Sequence, residues 1–141
     1  MISGLRISHV EASRTNEEAI MNMKFNINFD AVKVESENVH VDFTFVANYE
    51  GGEASKATEV GMLKIVGTIM SKESKKEADE ISAVWKSKKT LPIAFAEGII
   101  NLLNFECGAR GTLLASSIGL LAPLPLSRAK LSEQPAAGKS A

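Results

Sequence analysis

The chain has 141 residues, 45% of them hydrophobic, and its 16 basic and 17 acidic side chains leave a net charge of -1. This suits one domain of ordinary size with a substantial core, and the balanced charge argues against a nucleic-acid surface. Cys107 is the only cysteine, which excludes an intrachain disulfide, and the opening MISGLRISHVEASR has no apolar run of signal-peptide length, so a cytoplasmic address is expected.

The chain opens with strands. Leu5 and Ile7 alternate with Arg6 and Ser8, whereas Val10 and Ala12 fall on the opposite parity, so the first strand is short or kinked, with a bulge or bend near His9. Residues 15–22 read as a connection. In the next strand Met23, Phe25, Ile27 and Phe29 alternate with Lys24, Asn26, Asn28 and Asp30, the pattern of an antiparallel sheet with one solvated side. Val32 and Val34 change parity again, which predicts a bend or bulge past Asp30. Ser36, Glu37 and Asn38 supply turn chemistry, and Val39, Val41, Phe43, Phe45, Ala47 and Tyr49 then share one face of a third strand, completing a hairpin.

Residues 50–58, with Gly51 and Gly52, read as a polar loop. The fourth strand, VGMLKIVGTIM over residues 60–70, is apolar on both parities: Met62, Val66 and Met70 on one, Leu63, Ile65 and Ile69 on the other. A strand of that kind is covered on both faces. Helices can cover one, and a second subunit the other, so a homo-oligomer (dimer or tetramer) joined through the sheet is expected. Gly61 and Gly67 are expected to mark bulges or close backbone approach.

Residues 72–89 carry ten charged side chains of both signs and read as a solvated helix face. Ser74 and Glu77 have capping-box spacing and open a short helix that buries Ala78, Ile81, Val84 and Trp85, with Lys86, Lys88 and Lys89 at its cation-favouring end. Residues 91–126 differ sharply, with Glu97, Glu106 and Arg110 their only formal charges. So much apolar surface must be buried in the chain's own core or against a partner. It is not a stable membrane span, because each apolar half falls short of the roughly 20 residues that spanning needs. Pro92 suits a helix first turn and Gly108 a left-handed helix end. Between them Glu97, Asn101 and Asn104 form a narrow polar stripe, the only wetted edge. A second short helix over 112–118 and an extended exit forced by Pro123 and Pro125 follow. The whole predicts an α+β domain over residues 1–126, a four-stranded antiparallel sheet followed by a short and a long C-terminal helix, with a disordered tail over 127–141.

Catalytic patterns are weak. Residues 115–119 loosely fit a nucleophile elbow around Ser116 and Ser117, but that motif needs a strand-to-helix turn and a later histidine, and the only histidines are His9 and His40. His40 and Asp42 share a strand face without a further metal ligand, and read as a solvated pair. Cys107 lacks an evident base and reads as an inert buried thiol. No phosphate loop or dinucleotide fingerprint is present, so no cofactor and no enzymatic activity are expected.

The order of elements, together with Leu91-Pro92, the helix through Phe105, Arg110-Gly111-Thr112, Leu121-Ala122-Pro123 and the strand MLKIVGTIM, resembles the SecB family of protein-export chaperones over roughly residues 23–126. The resemblance implies an ATP-independent holdase, assembled as a dimer of dimers, that binds unfolded or aggregation-prone polypeptides along apolar grooves. It makes Phe43, Phe45, Trp85 and Phe95 the candidate client contacts, although side chains of these types also read as core. One departure stands out: Lys64 lies where the family carries acidic residues that dock the translocase motor. A non-catalytic structural or adaptor subunit of a fixed complex has a similar composition and is the alternative.

Overall fold

Four long strands and two helices follow one another in a computed structural model that describes residues 1–52, 58–120 and 123. They are β1 (Ile2–Arg14), β2 (Asn22–Glu35), β3 (Asn38–Gly51), β4 (Thr58–Lys72), α1 (Lys75–Lys88) and α2 (Ile93–Ser117). The strands form one antiparallel sheet in the order β1-β4-β3-β2. This is the α+β arrangement expected from the strand alternation and the two helical segments.

The parity changes in the sequence mark real irregularities. The β1–β4 register shifts between Ile7 and His9, and the β2–β3 register between Phe29 and Ala31. The first strand is therefore bulged but not short. Each bulge returns apolar side chains to the core face after a local change of phase. Gly67, paired with Ile7, is a site of close approach, because a Cβ there would lie 3.1 Å from Phe43 Cε1. The β2–β3 hairpin turns through Ser36, a non-glycine residue with φ 56°. The β3–β4 loop begins later than expected: pairing extends to Gly51 and Thr58, and 53–57 lie outside the described residues.

Both helices cover the same sheet face, α1 over β2 and α2 over β4. The core between the layers contains Val41, Phe43, Phe45, Leu63, Ile65 and Ile69 from the sheet and Ala78, Ile81, Ile99 and Leu103 from the helices. The opposite face of β4, with Met62, Lys64, Val66, Thr68 and Met70, is half-buried.

Ser74 caps α1 as expected, its oxygen accepting from the amide of Glu77 at 3.2 Å. Of the four side chains assigned to the core from this helix, Ala78 and Ile81 are buried, and Val84 and Trp85 half-buried. The helix ends at Lys89, which takes the left-handed conformation (φ 54°) and donates its amide to Trp85 O at 2.9 Å.

The C-terminal helix corrects two expectations. It runs unbroken through Gly108 to Ser117, and the left-handed glycine that follows it is Gly119 (φ 73°). Gly108 and Gly111 are both buried, and a Cβ at Gly111 would stand 2.6 Å from Leu63 Cδ2 and 2.7 Å from Pro123 Cγ. The missing side chain at Gly111 lets the helix approach β4 closely, and no helix break is involved. The wetted stripe also differs. Glu97, Asn101 and Asn104 are half-buried, whereas Phe105 and Leu113 are 70% and 75% exposed.

Arg14 ties the β1–β2 connection to the end of α2. Its guanidinium donates to the carbonyls of Asn16 (2.9 Å), Glu18 (3.0 Å) and Gly119 (2.5 Å). Beyond the helix, Pro123 is buried, while Leu121, Ala122, Pro125 and the expected tail over 127–141 lie outside the described residues.

Candidate functional site

An aromatic and aliphatic row runs along β2. Met23, Phe25, Ile27 and Phe29 point to the core face, but β2 is an edge strand, so each is only half-buried. Beyond the bulge Val32 and Val34 continue the row. Phe25 packs against Phe45 with ring centroids 6.1 Å apart, which couples the row to the centre of the core. Helix α1 lies over this strand, and its Trp85, together with Phe95 in the first turn of α2, is half-buried against the same apolar cluster.

The four side chains singled out from the sequence fall into two pairs. Phe43 and Phe45 are wholly buried on the inner strand β3, so neither presents surface in this conformation. Trp85 and Phe95 retain exposed area. Sequence alternation missed Phe25 and Phe29, because it reads the β2 and β3 phenylalanines alike. Only the sheet order puts one pair at an edge and the other in the interior.

The electrostatics of this surface are sparse. Lys89 Nζ stands 5.8 Å from the centre of the Trp85 ring, a cation–π approach that leaves part of the ring free. Along residues 22–29 the only charged side chain is Lys24, whose ammonium lies 3.4 Å from Glu50 Oε1. The departure residue Lys64 stands on the opposite sheet face, across from Glu11 on β1.

Other polar candidates have structural roles. Asp42 accepts from Thr68 Oγ1 at 2.7 Å, and His40 beside it is exposed. Ser116 and Ser117 lie in the last turn of α2, both donating to Leu113 O, at 3.1 and 3.0 Å, and not on a strand-to-helix turn. Cys107 is buried, and that burial pushes its thiol up to about 12. Burial likewise pushes the Tyr49 phenol up to about 12. Among the described residues no group of three or more His, Cys, Asp or Glu side chains is placed to hold a metal ion, and no helix is long and apolar enough to cross a membrane.

The fold is similar to that of a solved SecB-like chaperone. The Mycobacterium tuberculosis Rv1957 SecB-like chaperone, solved in complex with a ChAD peptide from the Rv1956 HigA1 antitoxin, superposes with a TM-score of 0.50. The match covers 96% of this chain and 92% of that one at 12% sequence identity, a likeness of fold alone. No protein-family model matches the sequence, and no curated protein does.

Proposed function

We propose that this protein is an ATP-independent holdase of the SecB-like kind, non-catalytic, that binds unfolded or aggregation-prone polypeptides in the cytoplasm. The observation that carries this reading is the row Met23, Phe25, Ile27 and Phe29, left half-covered, with Trp85 and Phe95 half-buried against the same apolar cluster. A partly dry aromatic and aliphatic surface with almost no charge accepts apolar side chains of varied shape. The fold likeness to a chaperone solved with a bound peptide supports the same reading. Trp85 and Phe95 are the proposed client contacts, and Phe43 and Phe45 contribute by supporting the surface from beneath, Phe45 through Phe25.

A homo-oligomer, dimer or tetramer, joined through the outer sheet face belongs to this proposal. The half-buried apolar side chains Met62, Val66 and Met70 of β4 on that face are its support. A second reading, a fixed subunit of one complex, is favoured by Phe105 and Leu113 on the open side of α2, which an obligate partner would cover.

Suppression of aggregation of an unrelated unfolding protein, titrated without nucleotide on material whose mass is set by light scattering, tests the proposal. Suppression at near-stoichiometric ratio by an oligomer, weakened by Trp85→Ala, is the expected outcome. A well-folded oligomer that suppresses nothing excludes the holdase and leaves the fixed-subunit reading.

A further inference from the structure

The crossover between β1 and β2, residues 15–21, has to pass the ends of β4 and β3, because those strands separate β1 from β2 in the sheet. Polar contacts hold it there. The amide of Thr15 donates to Val60 O at 2.7 Å and that of Met21 to Glu50 O at 2.8 Å. Thr15 Oγ1 and Asn16 Nδ2 both donate to Glu59 O, at 3.0 and 2.8 Å, and Thr58 Oγ1 donates to the Glu18 carboxylate. Ile20 is the only side chain of the segment packed against the core, whereas Ala19 and Met21 are exposed. A segment held by exposed hydrogen bonds with little apolar burial opens more readily than the sheet beside it.

The end of α2 is also short of support from its own residues. Its last turn, residues 114–117, has no basic side chain to offset the partial negative charge of a helix C-terminus. Past the helix the amides of Ile118 and Leu120 return to Ala115 O, at 3.2 and 2.8 Å, and Gly119 takes the left-handed conformation. The missing cation comes from β1, because Arg14 Nη1 donates to Gly119 O across 105 residues of sequence. The same guanidinium donates through Nε to Asn16 O and through Nη2 to Glu18 O. Among the described residues no carboxylate forms an ion pair with it. Its three bonds are therefore divided between the crossover and the helix end. The fork is planar and rigid, so all three hold only while both groups of carbonyls stay in place. With Gly119 O withdrawn, Arg14 regains side-chain freedom that its two remaining bonds have to offset.

We propose that Arg14 is a latch, through which the crossover over residues 15–21 and the end of α2 over residues 115–120 open and close as one unit while the sheet stays folded. The unit borders the half-buried apolar row, whose first member, Met23, follows the crossover in the chain. Opening of the latch thus changes the cover at one end of that row. The latch does not depend on what the row binds.

Hydrogen–deuterium exchange of the full chain, read by mass spectrometry over the crossover, the end of α2, the middle of α2 and β3, tests the latch. Arg14→Gln removes the charge and leaves one amide nitrogen in place of the fork. It is expected to speed exchange in the crossover and at the end of α2 alike, by about tenfold or more, and to leave β3 and the middle of α2 unchanged. Gly119→Ala loads the helix end alone: φ there is 73°, and the added Cβ would stand 3.1 Å from Arg14 Nη1 with no crossover atom within 4 Å. It is nonetheless expected to speed exchange in the crossover, since coupling through one shared side chain is reciprocal. Added to Arg14→Gln, it is expected to change the crossover little further, because the bond through which it acts is already gone. If Gly119→Ala leaves the crossover at the wild-type rate, or Arg14→Gln leaves the end of α2 at it, the two open independently and the latch is overturned. A rise by one common factor that includes β3 shows global opening and overturns it as well.

Discussion

Gly111 of α2 faces Leu63 of β4 so closely that a Cβ on the glycine would stand 2.6 Å from Leu63 Cδ2, with Pro123 Cγ 2.7 Å away on another side. Gly98, about three and a half turns earlier in the same helix, has nothing within 4 Å of the equivalent position. Gly111→Ala is expected to destabilise the protein by about 1–3 kcal/mol, since overpacking exceeds the gain in helix propensity of about 1 kcal/mol. Gly98→Ala keeps only that gain and is expected to stabilise by about 0.5–1 kcal/mol. Urea midpoints at unchanged m-value measure both, and equal shifts of one sign would disprove the packing argument.

Lys89 ends α1 in the left-handed region, which costs a residue with a Cβ about 1–2 kcal/mol. Its ammonium recovers about 0.5 kcal/mol by approaching the half-exposed Trp85 ring. Lys89→Gly is therefore expected to stabilise by up to about 1 kcal/mol, since relief of the backbone exceeds the lost contact. A lower thermal midpoint in the variant would show that the cation–π contact is the larger effect.

Glu73 provides a pH dependence. Burial favours its neutral form, but hydrogen bonds from the Met1 ammonium and Ser71, with the ammonium charge, hold the carboxyl below the usual glutamate value of 4.5. A depressed carboxyl contributes stability above its unfolded pKa and loses it as the pH falls through the folded one. The stability difference between the wild type and Glu73→Gln is expected to be constant near neutrality and to shrink as the pH drops below 4.5. A difference that grows on acidification would contradict the assignment.

The Cys107 thiol, buried and pushed up to about 12, is protonated and inaccessible in the folded chain at pH 8. A thiol-reactive dye is expected to label it negligibly in buffer and fully in urea, at a rate that follows unfolding. Rapid stoichiometric labelling of the native protein would place the thiol on an accessible surface.

Much of the sheet was legible because a half-buried strand has a period of two, and each break in that period signals a bulge. Val10 after His9 and Val32 after Asp30 located two of the register shifts correctly. The capping box of Ser74 and Glu77 located the start of α1 through short-range chemistry. The end of α2 was not legible, since a missing Cβ serves equally for a left-handed turn and for close packing. Gly108 and Gly111 serve packing in the interior, and Gly119 supplies the turn. The polar stripe failed for a related reason: which side of a mostly apolar helix meets water depends on what lies opposite.

The sequence by itself determined the four strands, the start of both helices, their order and the single apolar face of each hairpin strand, because these follow from local periodicity and the cost of leaving apolar side chains in water. The tertiary structure decided which phenylalanines remain accessible. Alternation assigns Phe25, Phe29, Phe43 and Phe45 to the same kind of face, but the order β1-β4-β3-β2 encloses β3 between two neighbours and leaves β2 with one. A strand without its second neighbour loses both lateral cover for its side chains and partners for half its backbone groups, and only long-range pairing determines which strand that is.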